Sequence, residues 1–66
     1  MKLWINGEQR EFSNLRTLPD LIEALGLPAA SLLVEHNGTA LHRSEWCERT
    51  IKEGDQFEFL RVAAGG

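Results

Sequence analysis

Residues 1–26 read MKLWINGEQREFSNLRTLPDLIEALG, and this stretch combines a strand hairpin with one amphipathic helix. From Met1 to Ile5 the aliphatic side chains fall on every second residue, which is the pattern of a half-buried strand. Asn6-Gly7 favours the positive φ angles of a type I′ turn, so we expect residues 8–13 to return as a second, more polar strand. The chain is therefore predicted to begin with a β-hairpin.

The helix pattern follows the hairpin. Its apolar residues recur at the i, i+3, i+4 and i+7 spacing of one helix face: Leu18, Leu21, Ile22 and Leu25. Thr17, with Asp20 three residues later, is a capping-box signal for the N-terminus of the helix. Gly26 offers a left-handed cap and Pro28 prevents continuation, so we expect the helix to end near Leu25.

Further strand patterns occupy the second half of the chain. Residues 32–37 form a candidate third strand that ends in an Asn37-Gly38 turn, and residues 39–42 are a short segment that can pair beside it. After a turn at Glu53-Gly54-Asp55, residues 56–62 alternate as a last strand. The intervening stretch 44–50 is mostly polar, and we expect an irregular turn there.

A lone helix between a hairpin and later strands must cover one face of a mixed sheet, which defines an α+β fold. The long crossover allows the first and last strands to pair in parallel at the centre of the sheet. We therefore predict a β-grasp domain over residues 1–62, with four to five strands and one main helix, followed by a flexible tail at residues 63–66. The predicted core is Leu3, Ile5, Leu18, Leu21, Ile22, Leu25, Val34, Phe57 and Phe59.

Composition excludes several classes of function. With 66 residues, 42% of them hydrophobic, the chain is one small globular domain with little material for a catalytic cleft. A net charge of −3 with scattered basic residues argues against a nucleic-acid partner. The N-terminus lacks an apolar signal region and no run is long enough for a membrane span, so we expect a cytoplasmic protein without a membrane partner.

The tail Ala63-Ala64-Gly65-Gly66 is the segment best suited to chemistry. Glycine has no Cβ, so this tail is thin enough to enter a narrow channel in a partner. Together with the segment 34–38, the Arg43-Ser44-Glu45-Trp46 segment and the Gly54-Asp55 turn, the tail makes the whole chain resemble the ThiS-type sulfur carriers of thiazole biosynthesis. These carriers belong to the wider group of ubiquitin-like β-grasp proteins.

The resemblance implies a specific chemistry for Gly66. In the family, an adenylating enzyme uses ATP to activate the terminal carboxylate, and a persulfide sulfur donor then converts it to a thiocarboxylate that supplies sulfur to thiazole synthase. The sulfur is attached at Gly66, with Ala64 and Gly65 as the adjoining tail. The resemblance implies a carrier rather than an enzyme, with no catalytic residue and no bound cofactor of its own.

A docking surface is expected on the uncovered face of the sheet. If the first and last strands are neighbours, Trp4, Leu60 and Val62 share the face opposite the helix, close to the tail. An exposed apolar group in that place is what a partner-binding surface needs. We therefore predict that these three residues bind partners.

Other reactive side chains have simpler explanations. Cys47 beside Trp46 is expected to be a small, half-buried hydrophobic residue. His36, His42 and Cys47 follow no metal-ligand spacing, so no metal is expected. His36 shares the phase of the buried residues of its strand, which predicts a partly buried histidine with a hydrogen-bond partner. The remaining acidic residues are expected to form a solvated surface: Glu48, Glu53, Asp55 and Glu58.

Two other functions remain open from the sequence. The same fold serves as a sulfur carrier for molybdopterin or another pathway, although molybdopterin carriers tend to be longer and lack the Arg43-Ser44-Glu45-Trp46 pattern. The second alternative is a ubiquitin-like modifier attached through Gly66 to lysines, or an interaction domain without tail chemistry.

Overall fold

The computed structural model describes residues 1–62, so the predicted tail at residues 63–66 lies outside the described residues. The described chain forms β-strands, one α-helix and two short 3₁₀ helices. In chain order these are β1 (Lys2–Ile5), β2 (Glu8–Glu11), α1 (Leu18–Leu25), a 3₁₀ helix (Ala29–Ser31), β3 (Leu32–His36), β4 (Thr39–Leu41), a second 3₁₀ helix (Arg43–Glu48) and β5 (Gln56–Arg61).

The strands form one mixed sheet in the order β2-β1-β5-β3-β4. The central pair, β1 and β5, is parallel, whereas the other neighbours are antiparallel. Two backbone hydrogen bonds stabilise the parallel pair. They run from Trp4 N to Asp55 O and from Asn6 N to Phe57 O, and both are 2.9 Å long. The predicted mixed β-grasp sheet is therefore confirmed, with five strands within residues 1–62.

Both predicted hairpin turns have the geometry that Asn-Gly favours. Asn6 and Gly7 have φ angles of 50° and 83°, and Asn37 and Gly38 have 50° and 85°. Two consecutive positive φ angles are the mark of a type I′ turn, which matches the twist of the flanking strands. The Asn6 side chain also accepts a 2.8 Å hydrogen bond from Phe59 N, so it binds β5 where β1 has ended.

The helix begins and ends where the sequence predicts. Asp20 Oδ2 accepts a 3.2 Å hydrogen bond from Thr17 N, which is the carboxylate half of a capping box. Gly26 adopts the left-handed conformation with φ of 69°, and its N–H donates to Glu23 O at 3.0 Å. These bonds satisfy polar groups that the ends of a short helix would otherwise leave unpaired.

The core lies between α1 and one face of the sheet. Eight of the nine predicted core residues are buried, and Leu25 is half-buried against the cluster. Four further residues complete the buried cluster: Leu32, Leu41, Trp46 and Ile51.

Two predictions for the stretch 44–50 are wrong. It contains the second 3₁₀ helix rather than an irregular turn, and this helix buries Trp46 to 5% exposure. The tight 3₁₀ turn points Trp46 towards the core and leaves the adjacent Cys47 exposed rather than half-buried. A 2.7 Å hydrogen bond from His42 N to Glu45 Oε1 closes the first turn.

Candidate functional site

The described chain ends at Val62, and a backbone hydrogen bond fixes the position of this residue. Val62 N donates to Ser31 O at 2.9 Å, which holds the residue after β5 against the segment that leads into β3. The predicted sulfur-bearing residue Gly66 and its neighbours Ala64 and Gly65 lie outside the described residues. The surface around Val62 is therefore the part of the candidate site that the structure describes.

Large apolar side chains are exposed on the sheet face that α1 does not cover. Trp4 is 40% exposed, Leu60 62% and Val62 41%, so all three predicted partner-binding residues are accessible. Leu33, which the sequence prediction missed, is 53% exposed and lies directly opposite Leu60 across β3 and β5. Its position between the inward-facing Leu32 and Val34 was the signal that places it on this face.

Trp4 lies apart from the other exposed apolar residues. Trp4 pairs with Gln56 at the start of β5, whereas Leu60 is four residues further along that strand. Four residues of strand span about 13 Å at a rise of about 3.3 Å per residue. Leu60 and Val62 are thus close to the end of the described chain, and Trp4 is at the opposite end of β5.

A groove of about 210 Å³ lies beside Leu60 on the uncovered face. Its apolar lining includes Leu33, Ala40 and Leu60, and its polar lining consists of Glu35 and Glu58. The two glutamates are cross-strand partners, directly opposite each other in the β3–β5 register. The groove therefore combines an apolar floor with two adjacent carboxylates. We refer to these five residues as the β3–β5 groove.

A second polar cluster joins the turn after β3 to the turn before β5. His36 Nε2 lies 2.8 Å from Asp55 Oδ2, and the imidazole stacks on Phe57 with ring centroids 4.5 Å apart. This confirms the predicted burial and partner of His36, which is 7% exposed. The prediction that Asp55 belongs to a solvated surface is wrong. Its side chain is only 13% exposed.

This cluster lowers the pKa of the Asp55 carboxyl. Burial raises the pKa of Asp55, but hydrogen bonds from His36, from the Lys52 backbone N–H and from Asn37 outweigh burial and hold the pKa below its usual value. Asp55 precedes β5, so the cluster lies at the end of the sheet away from Val62. We assign it a structural role in joining two turns.

Within residues 1–62, no group of three or more His, Cys, Asp and Glu side chains is arranged to hold a metal ion. No helix in this range is both long enough and apolar enough to cross a bilayer.

The five-strand mixed sheet, its central parallel pair and the single helix on one face define a ubiquitin-like β-grasp protein. The sequence pattern of the ThiS family matches residues 3–66, and the chain therefore belongs to the ThiS family. The match extends through the Gly65-Gly66 tail.

A solved structure and two sequence relatives are similar to this chain. The crystal structure of the thiamine biosynthesis protein ThiS from Geobacter metallireducens superposes with a TM-score of 0.84 at 33% identity, covering 100% of both chains. The sulfur carrier protein ThiS of Thermus thermophilus is 30% identical over 64 residues, which are 97% of this chain and 98% of the relative. A thiazole synthase of Paramagnetospirillum magneticum is 35% identical over 66 residues, and this chain spans 20% of its length.

Proposed function

We propose that this protein is the sulfur carrier for thiazole formation in thiamine biosynthesis, and that the Gly66 carboxylate is the group that bears the sulfur. The observation that carries the proposal is the ThiS family match, which runs from residue 3 through Gly66. The relative from Thermus thermophilus, named a sulfur carrier protein, aligns along nearly its whole length, which supports the same function here.

The chemistry of the proposal begins with activation of a poor electrophile. A carboxylate oxygen of Gly66 attacks the α-phosphorus of ATP on an adenylating enzyme, and pyrophosphate leaves. The terminal sulfur of a persulfide donor then attacks the acyl carbon, AMP leaves, and an acyl disulfide forms. A second thiol cleaves the sulfur–sulfur bond, which leaves a thiocarboxylate on Gly66 and a disulfide on the donor.

The carrier contributes position rather than acid or base catalysis in this scheme. It binds no cofactor of its own, since ATP is bound and consumed by the adenylating enzyme. We propose Trp4, Leu60 and Val62 as partner-binding residues, because exposed apolar groups on a sheet face are typical of docking surfaces. A cytoplasmic location belongs to the proposal, because the reaction needs ATP and free thiols.

Thiazole synthase is the proposed acceptor of the sulfur. A segment similar to this whole chain occurs within a relative named thiazole synthase. This similarity supports the proposal that the carrier and thiazole synthase act in the same reaction. The proposal predicts that thiazole synthase accepts sulfur from the thiocarboxylate form and not from the unmodified carrier.

Mass spectrometry tests the proposed function. We expect the purified chain, incubated with its adenylating enzyme, ATP and a persulfide donor, to change in mass by the difference between one sulfur and one oxygen atom. The change should map to the peptide that ends in Gly66. A chain that stays unmodified with an active adenylating enzyme would contradict the proposal and favour an interaction domain instead.

A further inference from the structure

A cavity of about 490 Å³ lies at the end of the sheet away from Val62. It opens between the second 3₁₀ helix, the segment that follows this helix and the turn before β5. We refer to it as the polar cavity, and its lining includes Glu45, Glu48, Arg49, Lys52 and the His36–Asp55 pair. Small-molecule sites have volumes of roughly 300 to 1,000 Å³, so the polar cavity is large enough for a small ligand.

Two of the three carboxylates that line the polar cavity are already hydrogen-bonded by the protein. Glu45 Oε1 accepts the 2.7 Å bond from His42 N, and Asp55 Oδ2 lies 2.8 Å from His36 Nε2. Glu48 follows Glu45 by three residues, which places the two side chains on the same side of a 3₁₀ helix. Glu48 is exposed and belongs to no ion pair within residues 1–62. Its carboxylate is therefore available to a ligand.

Two basic side chains line the same cavity without a carboxylate partner. Within residues 1–62, neither Arg49 nor Lys52 belongs to an ion pair. Arg49 is half-buried, and a charge that is partly withdrawn from water is stabilised by an opposite charge beside it. A guanidinium can bind a carboxylate through two parallel hydrogen bonds, and an ammonium adds a further donor. This side of the cavity therefore suits a carboxylate.

The wall of the polar cavity also contains a buried acceptor that lacks a donor. The Asp55 carboxylate can only accept, so His36 Nε2 donates to it and Nδ1 is left as an acceptor. Within residues 1–62, this Nδ1 is buried and has no hydrogen-bond partner. Buried polar atoms are usually paired in folded proteins. A ligand with an N–H group would bring a donor into a cavity whose wall lacks one.

We propose that the polar cavity binds a free α-amino acid. The carboxylate of the ligand lies on Arg49 and Lys52, and its ammonium lies on Glu48, beside the wall that contains His36. The unpaired charges of the cavity are two positive and one negative, and a zwitterion complements this set better than an ion of a single sign. The inference goes beyond the proposed sulfur carriage, because the cavity lies at the opposite end of the sheet from Val62.

Titration by nuclear magnetic resonance tests the proposal with three probes. Glycine has both charges, N-acetylglycine keeps only the carboxylate, and glycinamide keeps only the ammonium. We expect glycine to shift the backbone amide signals of residues 48–52 and the imidazole nitrogen signals of His36 in a saturable way. The other two probes should bind at least about tenfold more weakly, because each loses one charge-assisted contact.

Variants of the cavity test the assignment of each contact. Arg49→Gln removes the guanidinium and Glu48→Gln removes the carboxylate, so each should weaken glycine binding about tenfold. The matched controls are Arg10→Gln on β2 and Glu23→Gln on α1, which remove the same charges from exposed positions outside the cavity. Both controls should bind glycine within about threefold of the wild type, since exposed charges contribute little.

Three results would overturn the proposal. If glycine produces no saturable shift at the polar cavity, no amino acid binds there. If N-acetylglycine binds as tightly as glycine, the cavity is a simple anion site and the ammonium has no partner in it. If the control variants weaken binding as much as Arg49→Gln and Glu48→Gln, the effect comes from net charge and not from the cavity. The wild-type titrations decide the first two results even if a cavity variant fails to fold.

Discussion

Asp55 is the residue at which several segments of the chain are joined by hydrogen bonds. Its Oδ2 accepts bonds from His36 Nε2 at 2.8 Å and from Lys52 N at 3.0 Å, and its Oδ1 accepts one from Asn37 Nδ2 at 3.2 Å. Asn37 Oδ1 in turn accepts a 2.8 Å bond from Gln56 N. One carboxylate thus fixes the turn before β5 to the β3–β4 turn, which aligns the start of the central strand.

A pH titration of stability tests this role. The pKa of Asp55 is lowered in the folded protein, so the carboxylate contributes stability that is fully present above the ordinary aspartate pKa of about 3.9. This contribution is lost as the pH falls from that value through the lowered folded pKa. We expect Asp55→Asn to reduce the free energy of unfolding by about 1 to 3 kcal/mol at pH near 7. The free energy of unfolding of this variant should also fall less steeply than that of the wild type as the pH is lowered.

Urea denaturation from neutral to acidic pH provides the measurement, with Glu48→Gln as the control at an exposed carboxylate. If wild type and Asp55→Asn lost stability in parallel as the pH fell, the carboxylate would not be the acid-sensitive group.

Cys47 is the only thiol in the chain, and it is exposed. The proposed chemistry places sulfur on Gly66 and gives this thiol no role. Cys47→Ser should therefore acquire sulfur at the wild-type rate, and its stability should stay within about 0.5 kcal/mol of the wild type, as is usual for exposed positions. Peptide mapping after the reaction checks the result, and sulfur on Cys47 would contradict the assignment to Gly66.

Among the strands, β5 connects the two halves of the sheet. It lies between β1 and β3, and its inward residue Phe57 is 1% exposed between those neighbours. Phe57→Ala should reduce the free energy of unfolding by about 3 to 5 kcal/mol, which is much of the stability of a domain of this size. Thermal melting measures the loss. Leu33→Ala is a matched control on β3 because its side chain is 53% exposed, and equal losses would refute the core assignment.

The sequence predicts elements well where the signal is local. Asn6-Gly7 and Asn37-Gly38 determine their turns by backbone preference alone, and Gly26 ends the helix in the same way. The burial of Trp46 could not be predicted in this way, because the surrounding polar residues have no helical period and its burial depends on the distant core. Likewise, strand alternation shows which face Glu35 occupies, but only the β3–β5 register places it opposite Glu58.

The two ends of β5 should differ in their importance for docking. Leu60 is 62% exposed near Val62, so Leu60→Asp should fold normally but bind the adenylating enzyme about thirtyfold more weakly. Trp4→Asp removes an apolar residue from the same face but about 13 Å further along the strand, so we expect a smaller loss of affinity. Calorimetric titration of both variants provides the comparison, and an affinity unchanged by Leu60→Asp would remove this end of the sheet from the interface.

In the molecule as a whole, one face of the sheet is covered and the other is exposed. One face packs against α1 and contains the buried cluster around Leu3, Leu21 and Phe57. The opposite face is uncovered and exposes the β3–β5 groove beside the last described residue, Val62. For the sulfur carrier proposed above, this arrangement predicts a domain that presents its tail to an enzyme while its stability depends on neither the tail nor the enzyme.

Removal of residues 63–66 tests this division between the folded domain and the tail. Within residues 1–62, the buried cluster lies between Leu3 and Phe59, so we expect a chain that ends at Val62 to keep the wild-type melting temperature. It should also retain measurable affinity for the adenylating enzyme through the exposed Leu60 and Val62, but it should acquire no sulfur. A matched variant with one residue added after Gly66 should fold and bind but likewise stay unmodified, because its carboxylate no longer belongs to Gly66. Circular dichroism melting and intact mass measured on the same samples provide the test. A truncated chain that melts far below the wild type would show that the tail contributes to the fold, and one that still acquires sulfur would show that Gly66 is not the site of attachment.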